Sequence, residues 1–374
     1  MKVLMAACSP GGGITTFFGY VYGNDAFADI DVVLAAPGEG LKGYLADKAK
    51  AERFEVRTLS KGAVEGIRDL RALIRAEKPD LLHSHGFRAG VLMELSRKGL
   101  RKVPHLMTAH DVFLSAQFRG WKGRLTLGAL NLTYSRLDGV HAVSEDCARN
   151  FKEFIPLVAR RKVTAILHGI DVERFRDAVP EDIRGRLGLP EDAKVIGFFG
   201  RFMGQKGFRT LVDAIALLRR EGRLPENAYV VTFGWGGFIR EDYEYLRELG
   251  LGDVFIQHPH TDHPETAMAA VDVVAMPSRW EACGLLGMEA LSAGVPIVGG
   301  NCIGLREVLA GSPAPLVEPM DHRALADVLL ELVGDGAKAA FQAYAPEAHE
   351  RFALERPCTE LRRLYSRVAG QESA

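Results

Sequence analysis

The segment PSRWEACGLLGMEALSAGVP, residues 277–296, says most about the fold of this 374-residue chain. It follows the apolar run Val271–Met276, which is typical of a buried strand. It ends in Ala293-Gly294-Val295-Pro296, a helix stop, and a second apolar run follows directly. The segment therefore predicts a strand, a loop carrying Glu281, a helix carrying Glu289 and another strand.

The two carboxylates of this segment indicate a ligand site. In an open parallel sheet, ligands bind at the loop that follows a strand and at the helix start that this loop feeds. Glu281 and Glu289 are eight positions apart, which along a helix is roughly 12 Å at about 1.5 Å per residue. That spacing is about the reach of a nucleotide sugar from hexose to ribose. Two acids on a solvated helix are the alternative, but the surrounding glycines and the preceding strand favour a site.

The same segment resembles the E-x7-E signature of retaining glycosyltransferases with the GT-B fold, in the large family 4 of nucleotide-sugar-dependent enzymes. The positions that match are Gly284, Leu285, Glu289, Ala290, Gly294 and Pro296. Ala282 and Cys283 stand where the family commonly has Pro-Phe. The resemblance implies that Glu281 holds the hexose hydroxyls and that Glu289 accepts hydrogen bonds from the ribose. It also implies that backbone amides at the helix start face the diphosphate or sugar, at Cys283, Gly284, Leu285 and Leu286.

Apolar runs alternate with helical stretches along the whole chain, which predicts an α/β fold with doubly wound parallel sheets. The predicted strands are residues 3–7, 32–35, 81–84, 105–108, 139–143 and 163–167, and then 195–199, 229–233, 254–257, 271–276 and 296–298.

The resemblance implies the GT-B architecture, two Rossmann-like doubly wound domains that face a central cleft. We expect an acceptor-side domain over residues 1–172 and a donor-binding domain over residues 173–354, joined at a hinge near residues 168–171. The C-terminal segment, residues 355–374, carries a helical pattern. By resemblance, this helix crosses back onto the first domain.

A second motif, GFFGRFMGQKG at residues 197–207, follows the first strand of the second half. Glycines allow close backbone approach, a helix start offers unpaired N–H groups, and two cations neutralise a diphosphate. The family pattern G-R-x-x-x-x-K-G is matched at Gly200, Arg201, Lys206 and Gly207. We therefore expect Arg201 and Lys206 to grip the pyrophosphate and to stabilise the charge of the leaving group, with no metal ion.

Two segments of the first half are further candidates. The glycine-rich turn SPGGGITT, residues 9–16, is not G-x-G-x-x-G, so it does not predict dinucleotide binding. By resemblance, Gly11 and Gly12 face the donor phosphates or the acceptor. The segment TAHD, residues 108–111, resembles the family's histidine segment, which implies that His110 contacts the donor hexose or organises the acceptor. His110 is not assigned as a base, because in a front-face route the leaving phosphate takes the acceptor proton.

Three other patterns receive no catalytic assignment. HSH at residues 83–85 also resembles a family segment, and a structural role for these histidines stays equally open. DID at residues 29–31 precedes a strand in the wrong architecture for a manganese motif. HPHTDH at residues 258–263 lies between a strand and a short helix, so a zinc or nickel site is not predicted there. The only small molecule expected is the nucleotide sugar, as a co-substrate.

The cysteine and hydropathy patterns indicate a protein of a reducing compartment. The five cysteines are scattered and form no C-x-x-C pair, so neither a disulfide framework nor a zinc ribbon is expected. No signal peptide is expected, and no apolar run approaches the ~18 residues of a membrane span. We therefore expect a cytoplasmic protein.

The net charge of −1 conceals a basic first half. Residues 1–172 hold 25 Lys and Arg against 18 Asp and Glu, and residues 88–164 alone hold 14 against 6. Aromatic residues among cations, as in FRGWKGR at residues 118–124, suit a lipid headgroup interface, where each basic residue contributes about 1 kcal/mol. Our hypothesis is that the first domain docks peripherally on the inner membrane face and reaches a lipid-linked acceptor. An ordinary basic surface is the alternative, and no nucleic-acid partner is expected.

Together these patterns predict a retaining glycosyltransferase. It would move a hexose from a nucleotide diphosphate sugar to a hydroxyl of a glycan or glycolipid, in the synthesis of cell-surface polysaccharide or lipopolysaccharide. A sugar-nucleotide epimerase of the same architecture is one alternative, and it would turn over its substrate without an acceptor. A non-catalytic scaffold subunit of a polysaccharide assembly complex is the other. The base, the sugar and the acceptor stay open.

Overall fold

The computed structural model describes residues 1–9, 11–38, 41, 43, 45, 49–50, 53–259, 261–334 and 336–371. The chain forms two compact units. The first contains residues 1–169 and 354–374, and the second contains residues 170–353. No helix in the described ranges is both long and apolar enough to cross a membrane.

The first unit is built on a seven-stranded parallel sheet with the strand order β3-β2-β1-β4-β5-β6-β7. Its central strands β4 and β5 are buried along their whole length, because helices cover both faces of such a sheet. The strands are β1 Lys2–Ala7, β2 Asp31–Ala36, β3 Arg53–Thr58, β4 Leu81–His85, β5 His105–Ala109, β6 Gly139–Ala142 and β7 Val163–Ala165.

Six helices of the first unit have defined bounds. They are α1 Gly13–Tyr22, α2 Ala63–Glu77, α3 Phe87–Arg97, α4 Gly120–Tyr134, α5 Glu145–Phe154 and, numbered in chain order, α15 Glu355–Ala369. The side chain of Ser144 caps α5 by accepting a hydrogen bond from the Cys147 amide at 3.0 Å.

The second unit is a six-stranded parallel sheet with the strand order β10-β9-β8-β11-β12-β13. The strands are β8 Lys194–Phe199, β9 Ala228–Phe233, β10 Phe255–Gln257, β11 Val273–Met276, β12 Ile297–Gly300 and β13 Leu316–Val317. The helices are α6 Val172–Arg176, α7 Ile183–Leu187, α8 Phe208–Arg220, α9 Ile239–Glu248, α10 Pro264–Ala269, α11 Leu285–Ser292, α12 Leu305–Leu309, α13 His322–Leu332 and α14 Ala337–Phe352.

The predicted fold class, two doubly wound α/β sheets of the GT-B type, is confirmed. All eleven predicted strands are present, with ends shifted by a few residues. The sequence analysis missed β3 and β13. In β3 the sequence RFEVRT alternates charged and apolar residues at the edge of the sheet, so it lacks the continuous apolar run of a central strand. β13 has only two residues.

A buried chain of hydrogen bonds ties α15 to the sheet of the first unit. The Tyr365 hydroxyl lies 2.9 Å from the Tyr22 hydroxyl and 2.5 Å from His83 Nδ1. His83 Nε2 contacts the Thr108 hydroxyl at 2.7 Å, and this hydroxyl also contacts His141 Nδ1 at 3.1 Å. Buried polar groups need such partners, and a fully connected network fixes one arrangement. His83 therefore has a structural role, which is one of the two roles that the sequence left open for the histidines of HSH.

Candidate active site

The two motifs of the second unit meet where its strand order reverses. β8 and β11 are neighbours in the sheet, with Val273 in register with Ile196. Residues 200–207 follow β8 and residues 277–284 follow β11, so both loops leave the same edge side by side. This edge, at the carboxyl ends of parallel strands around a switch in strand order, is where α/β sheets bind ligands.

An ion pair joins the two loops. Lys206 Nζ lies 2.7 Å from Glu281 Oε1, and the two side chains are 21% and 8% exposed. The backbone is tied as well, because the Arg279 amide donates to the Gln205 carbonyl at 2.8 Å. The structure therefore brings together two residues that the sequence assigned to different parts of a ligand, Lys206 to the diphosphate and Glu281 to the hexose.

Two side chains that the sequence analysis did not single out hold the Glu281 carboxylate. The Ser278 hydroxyl donates to Oε1 at 2.8 Å. The Gln205 side-chain amide donates to the Trp280 carbonyl at 2.9 Å and reaches Glu281 Oε2 at 3.5 Å. Hydrogen bonds to an ionised carboxylate are stronger than neutral ones, so these contacts fix the position of the acid. Both residues lie within the two motif segments, next to Lys206 and near Glu281. This position was the only feature of the sequence that could have indicated their role.

Two glycines let the loops approach each other. Gly207 has φ of +70°, and a Cβ at this position would lie 2.0 Å from the Pro277 carbonyl oxygen. Gly304 has φ of +79°, and its Cβ would lie 2.4 Å from the Glu281 carbonyl oxygen. A side chain at either position would be strained by its backbone and would push the Glu281 loop away.

We expect Gly207→Ala to destabilise the second unit by roughly 3 kcal/mol, because alanine is disfavoured by about 1–2 kcal/mol at this φ and its methyl would meet a carbonyl oxygen. A domain of this size would lose roughly 10 °C in Tm. Gly204 in the same loop is the matched control, since a Cβ there meets nothing within 4 Å. Calorimetry of both variants is the measurement, and equal melting temperatures for Gly207→Ala and Gly204→Ala would contradict the packing described.

Arg201 stands apart from the ion pair. Its side chain is exposed, and within the described part of the chain it makes no ion pair or hydrogen bond. Arginine offers a planar fork of donors that suits phosphate oxygens. Arg201 is thus an unpaired cation in the same loop as Lys206.

Glu289 lies on α11, in its second turn. Its carboxylate has no hydrogen-bond partner among the described residues. Burial raises the pKa of Glu289 to about 7, against the opposing effect of the positive charges of Arg174 and Lys206. The charge of Lys206 thus acts on Glu289, and the carboxylate oxygens of Glu289 accept no hydrogen bond from the described residues.

The loop geometry changes the spacing expected for the two acids. α11 begins only at Leu285, so Glu281 precedes the helix and the helical estimate of about 12 Å does not describe their separation. The amides at the helix start are also partly engaged. The Leu285 amide donates to the Cys283 carbonyl at 3.0 Å, while Gly284 packs closely against Leu305. Among the described residues, Cys283 takes part in no disulfide.

Four histidines of the first unit, His85, His110, His141 and His168, lie at or near the carboxyl ends of β4 to β7. His85 ends β4 and His110 follows β5, and His85 Nδ1 lies 3.0 Å from His110 Nε2. Phe17 of α1 packs among them, with ring centroids 4.8 Å from His110 and 5.0 Å from His168. Within HSH, His83 serves the core, whereas His85 joins His110.

These histidines are uncharged at neutral pH. Burial, and then repulsion among neighbouring histidines, lowers the pKa of His85 and His110 well below the usual range. Burial also lowers the pKa of His141 and His168 to about 4. His85 Nε2 and His168 Nε2 are buried without a hydrogen-bond partner in the described ranges. Such buried atoms without a partner are rare in folded proteins, and each of them can form a hydrogen bond with a ligand or a water molecule.

The glycine turn of the first unit leads into α1. The Gly11 amide donates to the Ser9 carbonyl at 2.8 Å. Gly12 precedes the helix and has no side chain to cap it. The structure thus places Gly11, Gly12 and His110 in the first unit, and the other candidates in the second.

No metal centre is evident in the part of the chain that the structure describes, where no group of three or more His, Cys, Asp or Glu side chains could hold an ion. His260 of the HPHTDH segment lies outside the described residues. His258 Nδ1 contacts the Pro259 carbonyl at 2.6 Å, so one of its ring nitrogens is engaged.

Both halves of the chain match known protein families. Residues 12–174 match the family described as Glycosyltransferase Family 4, and residues 193–335 match Glycosyl transferases group 1. The two matches cover strands β2 to β13, and they include His85, His110, His141 and His168 and the ion-pair loops.

Individual relatives agree with the family matches. A D-inositol 3-phosphate glycosyltransferase of Arthrobacter sp. is 30% identical over 74% of this chain and 68% of the relative. A UDP-Gal:alpha-D-GlcNAc-diphosphoundecaprenol alpha-1,3-galactosyltransferase of Escherichia coli is 28% identical over 75% of this chain and 74% of the relative. Against several other curated relatives, the chain spans only about half to two thirds of their length, from 51% to 65%.

Among solved structures, the Anabaena protein HepE in complex with UDP and glucose superposes with a TM-score of 0.82. It is 21% identical and covers 98% of this chain and 100% of its own. At this identity the likeness shows the fold alone. With the family matches on both halves, it places the chain among the group 1 glycosyltransferases of the GT-B fold.

Proposed function

We propose that this protein transfers a hexose from a nucleoside diphosphate sugar to a hydroxyl of a glycan or glycolipid acceptor, with retention of anomeric configuration. The observation that carries the proposal is the Lys206–Glu281 pair at the switch point of the second sheet, beside the unpaired Arg201. The relatives add support, since the Anabaena structure holds UDP and glucose. Retention rests on the resemblance of the E-x7-E segment.

Arg201 and Lys206 are the residues proposed to bind the diphosphate. In the transfer step, the bond between the anomeric carbon and the β-phosphate oxygen breaks and a bond from the acceptor oxygen forms, on the same face of the sugar. The acceptor proton passes to the leaving phosphate. Two cations placed beforehand stabilise the charge that builds on this phosphate. Because side chains supply this charge, we expect transfer to continue in the presence of a chelator of divalent metals.

Glu281 is proposed to hold the hexose. Its carboxylate is fixed by Ser278, Gln205 and Lys206, so its acceptor oxygens are already oriented before the sugar arrives. The departure from the family at Ala282 and Cys283 lies directly after this acid, in the wall where the sugar should sit. For His110, we propose contact with the reacting sugar or the acceptor, as a neutral hydrogen-bonding group.

Glu289 is proposed to accept hydrogen bonds from the ribose hydroxyls, and this role has a stability cost. Its carboxyl group has a folded pKa of about 7 against 4.5 when exposed, so ionisation above pH 4.5 favours the unfolded chain. We expect Glu289→Gln to raise stability by roughly 1–3 kcal/mol at pH 8 and by little at pH 5. The same variant should bind the donor more weakly.

Melting temperatures of Glu289→Gln between pH 5 and pH 8 test this expectation. Glu244→Gln, at an exposed position on α9, is the matched control and should show no such trend. A pH-independent difference between Glu289→Gln and the wild type would mean that the carboxylate carries no desolvation cost.

We further propose that the acceptor is lipid-linked and that the protein works as a peripheral protein at the inner membrane face. The E. coli relative is named for a diphosphoundecaprenol acceptor. Residues 88–164 carry an excess of cations, which an anionic lipid surface would attract. This electrostatic part of the attraction should weaken as salt is added.

A panel of UDP-, GDP- and ADP-sugars, screened by thermal shift, tests the proposed function. A bound donor stabilises the native state by about 2.7 kcal/mol at a hundred times its Kd. One base should therefore raise the melting temperature by several degrees, and that donor should then be consumed faster with acceptor than without. Turnover without acceptor to an isomeric sugar nucleotide would indicate an epimerase. No shift with any donor would indicate a scaffold protein.

A further inference from the structure

Helix α4 exposes large apolar side chains on its solvent side. Trp121, Leu125 and Leu132 are 69%, 65% and 63% exposed. The residues of α4 that are buried, Asn131 and Tyr134, lie on another side of the helix. Scattered exposed apolar residues are ordinary, but contiguous ones mark interaction surfaces.

The three exposed side chains form one stripe. They stand at positions i, i+4 and i+11, which at about 100° per residue fall within roughly 40° of each other around the helix. Gly128, at i+7, lies in the same stripe and leaves the neighbouring side chains accessible. α4 therefore carries large apolar side chains on its solvent side in addition to those on its packed side, where Leu127 and Leu130 are half-buried and Tyr134 is buried.

Cations flank this stripe on both sides. On the same helical projection, Lys122 lies about 100° to one side of Trp121 and Arg124 about 60° to the other. α4 contains no Asp or Glu. The Asn131 side chain of α4 donates to the Phe154 carbonyl at 2.9 Å. The segment after Phe154, which contains Leu157 with 56% exposure, therefore lies beside α4.

We propose that α4 is the membrane-docking element of this protein, with the stripe of Trp121, Leu125 and Leu132 inserted among lipid acyl chains and its cations on anionic headgroups. This inference rests on the proposed function, in which the protein works at the membrane surface. It names the helix that docks and the way in which it binds lipid. An apolar helix face with a cationic rim is the composition of an interfacial helix. Tryptophan suits the headgroup boundary, and Lys and Arg stems reach outward from it.

The charges favour lipid over a second copy of this chain. A twofold contact through α4 would set Lys122 and Arg124 against the same cations of the partner, with no acid on the helix to pair with them. An anionic bilayer offers opposite charge and an apolar interior together. Attraction by charge alone would be lost at high salt, whereas an inserted stripe should keep a salt-resistant part of the binding.

Vesicle cosedimentation with the full chain tests this proposal. The vesicles contain phosphatidylcholine with or without phosphatidylglycerol, at low salt and at about 1 M salt, where the Debye length is only about 3 Å. The test variant is Leu125→Ser/Leu132→Ser. The matched control is Val64→Ser/Leu95→Ser, which removes two exposed apolar side chains of the same unit, 56% and 42% exposed, from α2 and α3.

We expect the wild type and the control to bind anionic vesicles and to keep part of this binding at high salt. The α4 variant should need at least about tenfold more lipid for half of the protein to be bound, and its melting temperature should be unchanged. Equal binding by the α4 variant and the wild type would overturn the proposal, as would complete release of the wild type by salt. A dimer in ultracentrifugation that the α4 variant abolishes would overturn it too, in favour of self-association.

This test stands apart from that of the proposed function. The vesicle assay contains no nucleotide sugar, and α4 belongs to the first unit while the ion-pair loops belong to the second. A negative vesicle result would leave donor binding untouched. A negative donor panel would leave a positive vesicle result standing.

Discussion

Arg201→Ala is expected to lower kcat by about 10²–10³ without a loss of stability. Removal of one positioned charge-stabilising group typically has an effect of this size on a transition state that gathers negative charge. Arg201 is exposed and unpaired in the described chain, so its truncation removes no contact of the folded state. Its fork of donors is free to engage the donor diphosphate.

Steady-state kinetics and calorimetry on the same preparation measure this expectation. Arg219→Ala is the matched control, since it removes an exposed arginine of the same unit whose partner, Asp253, lies outside the site loops. Arg219→Ala should leave kcat unchanged. Near-normal turnover of Arg201→Ala would remove Arg201 from the site.

Lys206 should behave differently from Arg201, although the sequence assigns both to the same task. Truncation of Lys206 leaves the Glu281 carboxylate, 8% exposed, with Ser278 and Gln205 but without its cation. An unpaired buried charge is strongly destabilising. Lys206→Ala should therefore lose stability together with turnover, which makes Arg201→Ala the cleaner probe of the chemistry.

Acid is expected to unfold the first unit cooperatively between about pH 6.5 and pH 4. All six of its histidines have a lowered pKa in the folded state, with burial as the main cause. The unfolded chain therefore binds more protons in this window. Their contribution to stability is complete above pH 6.5 and is lost as the pH falls.

The size of this effect follows from two of the histidines. His141 and His168 each have a pKa of about 4 against 6.5 when exposed, which corresponds to about 3 kcal/mol each by pH 4. Between pH 6 and pH 5, these two alone should lower the free energy of unfolding by about 2.3 kcal/mol. The other four add to the slope.

Urea unfolding at several pH values measures the slope, and hydrogen exchange locates the loss of protection in β4 to β7. His168→Asn should flatten the slope between pH 6 and pH 5 by about 1.2 kcal/mol per pH unit, because it removes one titrating group. His322→Asn, at an exposed position of α13, should leave it unchanged. A free energy of unfolding that is level from pH 7 to pH 5 would contradict the buried, neutral cluster.

Local sequence was enough to predict the fold class. The apolar runs of the central strands, such as Val195–Phe199, mark the strands because both faces of each strand are covered. The edge strands β3 and β13 were not predicted, because partial exposure of β3 breaks its apolar run and β13 is too short to form one. Patterns along the chain report burial, and an edge strand is buried less.

The pairing of site residues was harder to predict. Lys206 and Glu281 are 75 positions apart, and only the adjacency of β8 and β11 brings their loops together. Strand order is set by packing of the whole unit, which no local pattern states. The need for glycine at position 304, beside the Glu281 carbonyl, follows from the same adjacency.

The HSH segment shows the same limit within three residues. His83 and His85 lie on the same face of β4, with ring centroids 4.0 Å apart, but their rings take different partners, Tyr365 for the first and His110 for the second. The partner of His83 lies 282 positions away, on α15. A motif can thus contain one core residue and one residue of the candidate site, and only their tertiary partners distinguish the two.

The central claim is that the loops at residues 200–207 and 277–289 bind a nucleoside diphosphate sugar. Hydrogen exchange with and without the donor selected by the thermal-shift panel tests it most directly, because backbone amides of a ligand-binding loop gain protection when the ligand binds. We expect protection to be concentrated in these two segments, and to be lost in Arg201→Ala at the same donor concentration. Protection elsewhere in the chain with these loops unchanged, or none at a saturating donor concentration, would contradict the claim.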